Sequence, residues 1–304
     1  MTENVAKARI AVVGAGLMGH GIAQVFALAG HDVKITDTVV QNLDSVQSRI
    51  AANLRDLGDD ENAAARVQPC VDLTEAVRDA DFVVEAIAEK LDLKQKLFAE
   101  IELRARRDAI LASNTSVIPI TAIMQGLIRK ERALGTHWWN PPFLVPLVEV
   151  IQTQWTSPEA IQFTMDLHKA AGKMPAHVQK DVPGFIGNRL QHALWREAIS
   201  LVEHGICDAK TVDDVVKASF GRRLAVLGPM ENADQVGTDL TLAIHDVVLP
   251  AIENRPGSSP LLQELVADGK LGFKSGQGFQ KWSPEEQAAL RTRVMQHLKA
   301  MRDR

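Results

Sequence analysis

Apolar positions follow two regimes along this chain. Up to about residue 182 short β-branched runs alternate with stretches of helical periodicity, and beyond it the helical pattern stands almost alone. Residues 9–13 (Arg-Ile-Ala-Val-Val) read as a strand buried on both faces, as in a parallel sheet, and Ile22, Val25, Phe26 and Ala29 then fall on one helical face. A second strand is predicted over 32–36, and two more buried strands over 81–88 and 109–112, each preceded by a helical stretch. This alternation specifies a doubly wound α/β domain of Rossmann type, assigned to residues 1–182. Long apolar-periodic stretches at 187–203, 209–218, 235–249 and 260–267 predict an all-helical second domain over 183–304. The segment 283–304 opens Ser-Pro-Glu-Glu, a good helix start, and continues highly charged, as a solvated terminal helix does.

Composition limits the partners. The 304 residues are 46% hydrophobic and 24% charged with a net charge of -4, so the basic excess that phosphate-backbone binding requires is missing and no nucleic-acid partner is expected. Cys70 and Cys207 lie far apart without any CxxC spacing, which predicts neither a disulfide framework nor a zinc site and fits a reducing cytoplasm. Residues 10–30, following Lys7 and Arg9, superficially resemble a membrane segment. Gly14, Gly16, Gly19, Gly21, His20 and Gln24 interrupt that stretch as a hydrated loop does, so no membrane association is expected.

That loop carries the first chemistry. Gly14-Ala-Gly16-Leu17-Met18-Gly19 is G-x-G-x-x-G between a strand and a helix. Gly14 serves the tight turn, Gly16 lets backbone approach a pyrophosphate, and Gly19 packs helix against strand. Leu17 and Met18 then open a helix whose free N–H groups and dipole favour the phosphates. Asp37, 18 residues after Gly19, is spaced to accept hydrogen bonds from ribose hydroxyls and to repel a 2′-phosphate. Thr38, Val39 and Val40 offer no arginine for such a phosphate, so NAD is the predicted cofactor. Glu89 and Lys94 follow the 81–88 strand at the carboxyl edge of the sheet, where they are candidates for the nicotinamide half of the site. A solvated helix start, acid first and base later, accounts for them equally well.

A polar loop, Ser113-Asn-Thr-Ser116, follows the next strand at the same edge and is a good place to hold a substrate hydroxyl. His137 and Glu149 lie in apolar runs that read as paired strands joined by a proline-rich turn, which brings an imidazole and its orienting carboxylate together as a base. Trp138 and Trp139 adjoin the base, and strand alternation sends one of them to the core. No metal is required, since the nine histidines show neither H-x-x-x-H nor H-E-x-x-H spacing.

Several linked motifs together resemble the L-3-hydroxyacyl-CoA dehydrogenase family over nearly the whole chain. They are the run from Gly14 to Gln24, Ser113-Asn-Thr-Ser116, His137-x-x-Asn140-Pro141, Leu147-Val-Glu149-Val, Pro183-Gly-Phe-x-x-Asn188-Arg189 and Lys274-Ser-Gly276-x-Gly278-Phe279. The resemblance implies His137 as general base, Glu149 as its orienting carboxylate, Ser116 and Asn188 holding the reacting substrate oxygen, and Asn140 near the nicotinamide carboxamide. It also implies an NAD-dependent oxidoreductase that acts on a small-molecule substrate and forms a homodimer through its helical domain.

One region departs from the family pattern. CoA-using members carry a lysine-rich excursion after the second strand, whereas residues 39–71 hold Arg49, Arg55 and Arg66, no lysine, and acids including Asp59, Asp60 and Glu61. Pro141-Pro142, Ile118-Pro119-Ile120 and residues 221–229 are closer to relatives acting on small free hydroxy acids. Those relatives are the gulonate dehydrogenase and lambda-crystallin group, carnitine dehydrogenases and a pyridine-carboxylate dehydrogenase of vitamin B6 breakdown. A free carboxylate calls for a guanidinium, and Arg222 or Arg223 is the candidate, with a basic turn at a helix end as the plainer account of both. The expected substrate is therefore a small hydroxy acid. Two other readings stay open: a 3-hydroxyacyl-CoA dehydrogenase, as for 3-hydroxybutyryl-CoA, and a non-catalytic NAD-binding structural protein.

Overall fold

The computed structural model describes Val5 and residues 7–302. Strands β1 (Arg9–Val13), β2 (Asp32–Thr36), β3 (Val67–Cys70), β4 (Phe82–Glu85), β5 (Ile110–Ser113), β6 (Ala133–Trp138), β7 (Leu147–Ile151) and β8 (Met174–Val178) form one sheet ordered β3-β2-β1-β4-β5-β6-β7-β8. The first six run parallel, β7 is antiparallel to β6, and β8 is parallel to β7. Strand order reverses between β1 and β4, the switch point at which ligands bind in open α/β sheets.

Helices α1 (Leu17–Leu28), α2 (Val40–Asp44), α3 (Val46–Leu57), α4 (Leu73–Val77), α5 (Leu91–Arg104), α6 (Ile120–Met124) and α7 (Pro158–Ala170) cover the sheet. Strand alternation divides the core in two. Ile10, Val12, Val33, Ile35, Phe82 and Val84 pack on one face with residues of α1, α3 and α7, while Ala11, Val13, Val83 and Leu111 pack on the other with α5 and α6. Each fully buried large aliphatic or aromatic side chain here contributes about 1.5–3 kcal/mol. His168 of α7 is one of the packed histidines, boxed by the rings of Phe26, Phe82 and Trp138, with its Nδ1 2.7 Å from the carbonyl of Thr164. Burial pushes its pKa down to about 4, so it stays neutral in the core.

The structure revises several expected elements. The strand expected over 81–88 ends at Glu85, because that carboxylate turns back to accept the N–H of Ile87 at 2.7 Å. Strands β3 and β8 escape the hydrophobic pattern: each is a sheet edge, where Pro69 and Pro175 cost no central ladder bond.

The described residues up to Arg189 together with those from Gln296 to Arg302 make one compact unit, and Leu190–Met295 make another. The helices α8 (Gly187–Glu203), α9 (Ala209–Ala218), α10 (Pro229–Val236), α11 (Thr238–Val248), α12 (Pro260–Ala267) and α13 (Pro284–Arg302) complete the chain. The single helix expected over 235–249 is two, broken at Gly237 with its φ of 107°. The start of α8 and the last turns of α13 belong to the compact unit that holds the sheet. Those last turns are not merely solvated: Lys299 pairs with Asp56 at 2.6 Å and Arg302 with Asp59 at 2.6 Å. Among the described residues no helix is long and apolar enough to cross a membrane.

Candidate active site

A cleft of about 680 Å³ opens at the carboxyl ends of β1, β2 and β4, lined among others by Gly14, Gly16, Asp37, Thr38, Ile87 and Leu97. Gly14 has φ 106°, and a Cβ there would come within 2.6 Å of the carbonyl oxygen of Ala86, so only glycine fits the turn. Nothing stands within 4 Å of where a Cβ on Gly16 would be, so the loop backbone is open to close approach. The first turn of α1, with exposed Leu17 and half-buried Met18, carries no side-chain cap and no acidic residue. Its N-terminal N–H groups thus suit an anion. Asp37 accepts from the N–H of Ala15 at 2.6 Å, the N–H of Val39 at 2.8 Å and the Asn42 amide at 3.1 Å. An ionised carboxylate has about four acceptor positions, so one is left for a ligand hydroxyl. This cradle fits a dinucleotide.

The second cluster grows from one pair of strands. β6 and β7 place His137 directly opposite Glu149, on the same face of the sheet. Both are buried, and Nδ1 of His137 lies 2.8 Å from Oε2 of Glu149. The other oxygen, Oε1, accepts the N–H groups of Ile186 at 2.8 Å and Gly187 at 3.0 Å, where α8 begins with its unpaired donors. Burial alone would raise the Glu149 carboxyl. The hydrogen bond with His137 and those from Gly187 and Ile186 outweigh burial and hold it below its ordinary range, so the group stays ionised. With Nδ1 taken by the carboxylate, Nε2 is the nitrogen left to exchange a proton. Trp139 and Phe185 flank the imidazole, with ring centroids 5.3 Å and 5.6 Å away. A side chain at Gly187 would collide with the Trp139 indole. Trp138 points to the core against Phe26, as strand alternation requires.

Asn188 and Ser116 are brought together: the Asn188 amide donates to the Ser116 carbonyl at 2.8 Å. The exposed Ser116 loop is fastened by Glu89, whose Oε1 accepts from the Thr115 hydroxyl and from the N–H groups of Ser116 at 3.0 Å and Val117 at 3.3 Å. Burial raises the Glu89 pKa, but the Thr115 hydroxyl, Lys94 and the two N–H groups together bring it below the ordinary value.

Lys94 is buried, not at a solvated helix start. It is 1% exposed and bridges Glu85 at 2.6 Å and Glu89 at 3.3 Å. A buried ammonium needs such partners, and α5 turns it inward to meet them. Glu85 and Asn114 were not singled out by spacing. Glu85 is fully buried and accepts from Lys94, from Ile87 and, through Oε2, from the Ser113 hydroxyl at 2.7 Å. Asn114 accepts the N–H of Trp138 at 2.9 Å, tying the loop after β5 to the strand that carries His137. An acid inside an apolar run was the available signal, because a buried charge requires a partner. Lys173, likewise unforeseen, donates to the carbonyls of Pro142 and Val145 and so holds the turn between β6 and β7; burial lowers its pKa to about 8.

The other predicted residues are Asn140, Arg222 and Arg223. Asn140 is exposed in that turn. Arg222 and Arg223 belong to the Leu190–Met295 unit, exposed at the short 3-10 turn Phe220–Arg222. In the excursion over 39–71 each arginine is engaged: Arg49 with the carbonyls of Ala15 and Asn42, Arg55 with Glu61 through both carboxylate oxygens, and Arg66 with the carbonyl of Ala27.

Known proteins resemble this chain along most of its length. The NAD binding domain of 3-hydroxyacyl-CoA dehydrogenase matches residues 9–182, and the C-terminal domain of 3-hydroxyacyl-CoA dehydrogenase matches residues 184–282. The 5-formyl-3-hydroxy-2-methylpyridine 4-carboxylate 5-dehydrogenase of Mesorhizobium japonicum is 35% identical over 298 residues, covering 96% of each chain. The human mitochondrial hydroxyacyl-coenzyme A dehydrogenase is 37% identical over 290 residues, covering 90% of each. A crystal structure of a 5-formyl-3-hydroxy-2-methylpyridine 4-carboxylic acid 5-dehydrogenase, described as an NAD+ dependent dismutase, superposes with a TM-score of 0.90 at 33% identity over 97% of each chain. A glycine cradle suited to a dinucleotide, an imidazole backed by a carboxylate, and matches spanning both halves of the chain lead to one conclusion: this protein belongs to the 3-hydroxyacyl-CoA dehydrogenase family and is an NAD-dependent oxidoreductase acting on CH–OH groups.

Proposed function

We propose that the chain oxidises the hydroxyl-bearing carbon of a small free hydroxy acid, with His137 as the base. Nε2 of His137 takes the hydroxyl proton in oxidation and returns it in reduction. Glu149 fixes the ring through Nδ1 and stabilises the imidazolium, which its lowered pKa equips it to do. Ser116 and Asn188 hold the reacting oxygen, and Glu89 keeps their loop in place. Gly14, Gly16, Leu17, Met18 and Gly19 hold the pyrophosphate, Asp37 the adenosine ribose, and Asn140 the carboxamide end. Bound NAD supplies the hydride acceptor. The rings of Trp139 and Phe185 flank the imidazole that exchanges the proton.

The observation that carries the small-acid reading is the excursion over 39–71. It has no lysine, and its three arginines are already engaged by this chain's own oxygens, so cations for the phosphates of a CoA thioester are lacking there. The likeness to a pyridine-carboxylate dehydrogenase over almost the full length supports the same class. Arg222 or Arg223 is assigned to the substrate carboxylate. The likeness to a human hydroxyacyl-coenzyme A dehydrogenase supports a thioester as the second reading. NADH formation across a panel of 3-hydroxyacyl-CoA thioesters, gulonate, carnitine and hydroxymethyl- and formyl-pyridine carboxylates decides between them. Saturable turnover of a free acid with inert thioesters is expected, and a thioester preference rejects the small-acid reading.

Cofactor choice is tested separately. Replacing Asp37 with serine removes the negative charge that repels a 2′-phosphate, and should lower the preference for NAD over NADP by tenfold or more, on the order of 1.4 kcal/mol. Unchanged preference would show that Asp37 does not meet the ribose.

The reading includes a cytoplasmic homodimer. The two unpaired cysteines, Cys70 and Cys207, suit a reducing compartment. In the Leu190–Met295 unit not one apolar side chain is buried in the single chain, and a helical unit of that size without a core of its own calls for a partner surface.

A further inference from the structure

We infer that Lys173 is a positioning residue for the cofactor: its ammonium fixes the turn between β6 and β7 and thereby sets Asn140 for the nicotinamide half of NAD. The inference rests on the placement of Asn140 at the carboxamide proposed above and adds what holds that residue there.

Lys173, just before β8, is 9% exposed, and among the described residues no carboxylate pairs with it. A buried ammonium without a counter-charge is unfavourable, and an apolar side chain in its place would avoid the desolvation. Such a residue is expected where function rather than stability selects it. Its hydrogen bonds go to the carbonyl oxygens of Pro142 and, at 2.8 Å, Val145, and the ammonium lies 5.4 Å from the centroid of the Trp138 ring. Burial lowers its pKa to about 8, so the cation prevails at neutral pH.

The turn needs that donor. Three of the eight residues 139–146 are prolines, which have no N–H, and the backbone bonds within the turn, from Leu144 and Val145, both end on the carbonyl of Pro141. Lys173 serves two carbonyls that those bonds miss. The same turn is keyed to α1: a Cβ on Gly21 would stand 3.0 Å from Cδ of Pro142 and 3.4 Å from Cδ1 of Phe143. It therefore lies directly on the helix whose first turn suits the pyrophosphate. Asn140 sits midway between the anchors, two residues after Trp138 and two before Pro142. No residue of the turn lines the cleft at Gly14 and Asp37, so the ammonium governs the nicotinamide half of the dinucleotide and not the adenosine half.

Titration of the whole chain at pH 7 with NADH and with ADP-ribose, which lacks the nicotinamide, tests this. Lys173→Met should raise the NADH Kd about tenfold, the worth of roughly one hydrogen bond, and leave the ADP-ribose Kd within about twofold. Asn140→Ala should show the same selective loss, and the double variant should lose no more than either single one, because the two residues act in series. Should the Met variant fail to fold, Lys173→Gln, which keeps N–H donors on a shorter arm, replaces it with the same selective loss expected. Unchanged NADH affinity in the Lys173 variant, an equal loss for both ligands, or additive losses in the double variant would overturn the inference. Normal NADH binding by Asn140→Ala beside a selective loss in the Lys173 variant would instead overturn the carboxamide role of Asn140, leaving Lys173 as the residue that sets the nicotinamide half.

Discussion

Replacing His137 with alanine should lower kcat by about a hundredfold or more while NAD binding is preserved. The imidazole is not among the residues that line the glycine cradle, so cofactor affinity, read by fluorescence titration of NADH, should stay within about twofold. Glu149→Gln makes the sharper comparison. It keeps the N–H contacts from Ile186 and Gly187 feasible but removes the charge opposite Nδ1, so kcat should fall with little change in the KM for substrate. Full residual activity in the alanine variant would remove His137 as the base. The state of Glu149 also sets a pH window. Its folded pKa lies below its ordinary value, so its stabilising contribution is present above the usual carboxylate range and is lost as pH falls through the depressed value.

Lys94→Met should be the most destabilising single change in the sheet unit. It leaves the Glu85 carboxylate fully buried with its ammonium partner gone, a change that costs about 3–5 kcal/mol. For a unit of this size that corresponds to a fall in Tm on the order of 10 °C. Activity should fall with stability, because Glu89 loses the same partner and the Ser116 loop hangs on Glu89. The double variant Glu85→Gln with Lys94→Met should recover much of the loss, since no unpaired charge then remains. Wild-type melting of the single variant would mean the ammonium is not what holds Glu85.

How much of this was legible in the sequence follows from range. Strands β1 and β2 came out with their observed bounds because each is a short β-branched run flanked by turn signals, and the glycine loop and Asp37 sit at a fixed spacing along one βαβ unit. The His137–Glu149 pair was legible for the same reason, being two neighbouring strands and one turn. What was not legible depends on partners distant in sequence. Lys94 reads as a solvated helix lysine until Glu85 and Glu89 are seen beside it, and Asn114 gains its meaning from Trp138, 24 residues on. The terminal helix reads as solvated until Lys299 and Arg302 meet Asp56 and Asp59, separated from them by 243 residues. Gly237 splits a periodic stretch that gives no local warning apart from the glycine itself. Edge strands β3 and β8 are half-exposed and carry prolines, so neither alternation nor a buried run announces them.

The antiparallel seam between β6 and β7 makes the enzyme a proofreader of its own assembly. Correct pairing sets His137 against Glu149, with Val148 and Val150 on either side. A slip by a single position would turn the carboxylate to the opposite face of the sheet, among the aliphatic side chains of the core, and leave the imidazole facing a valine. Such a chain would bear a stranded charge and, with His137 as the proposed base, be catalytically silent, so on that proposal regained turnover after denaturation counts only molecules whose last strands have zipped in the right frame.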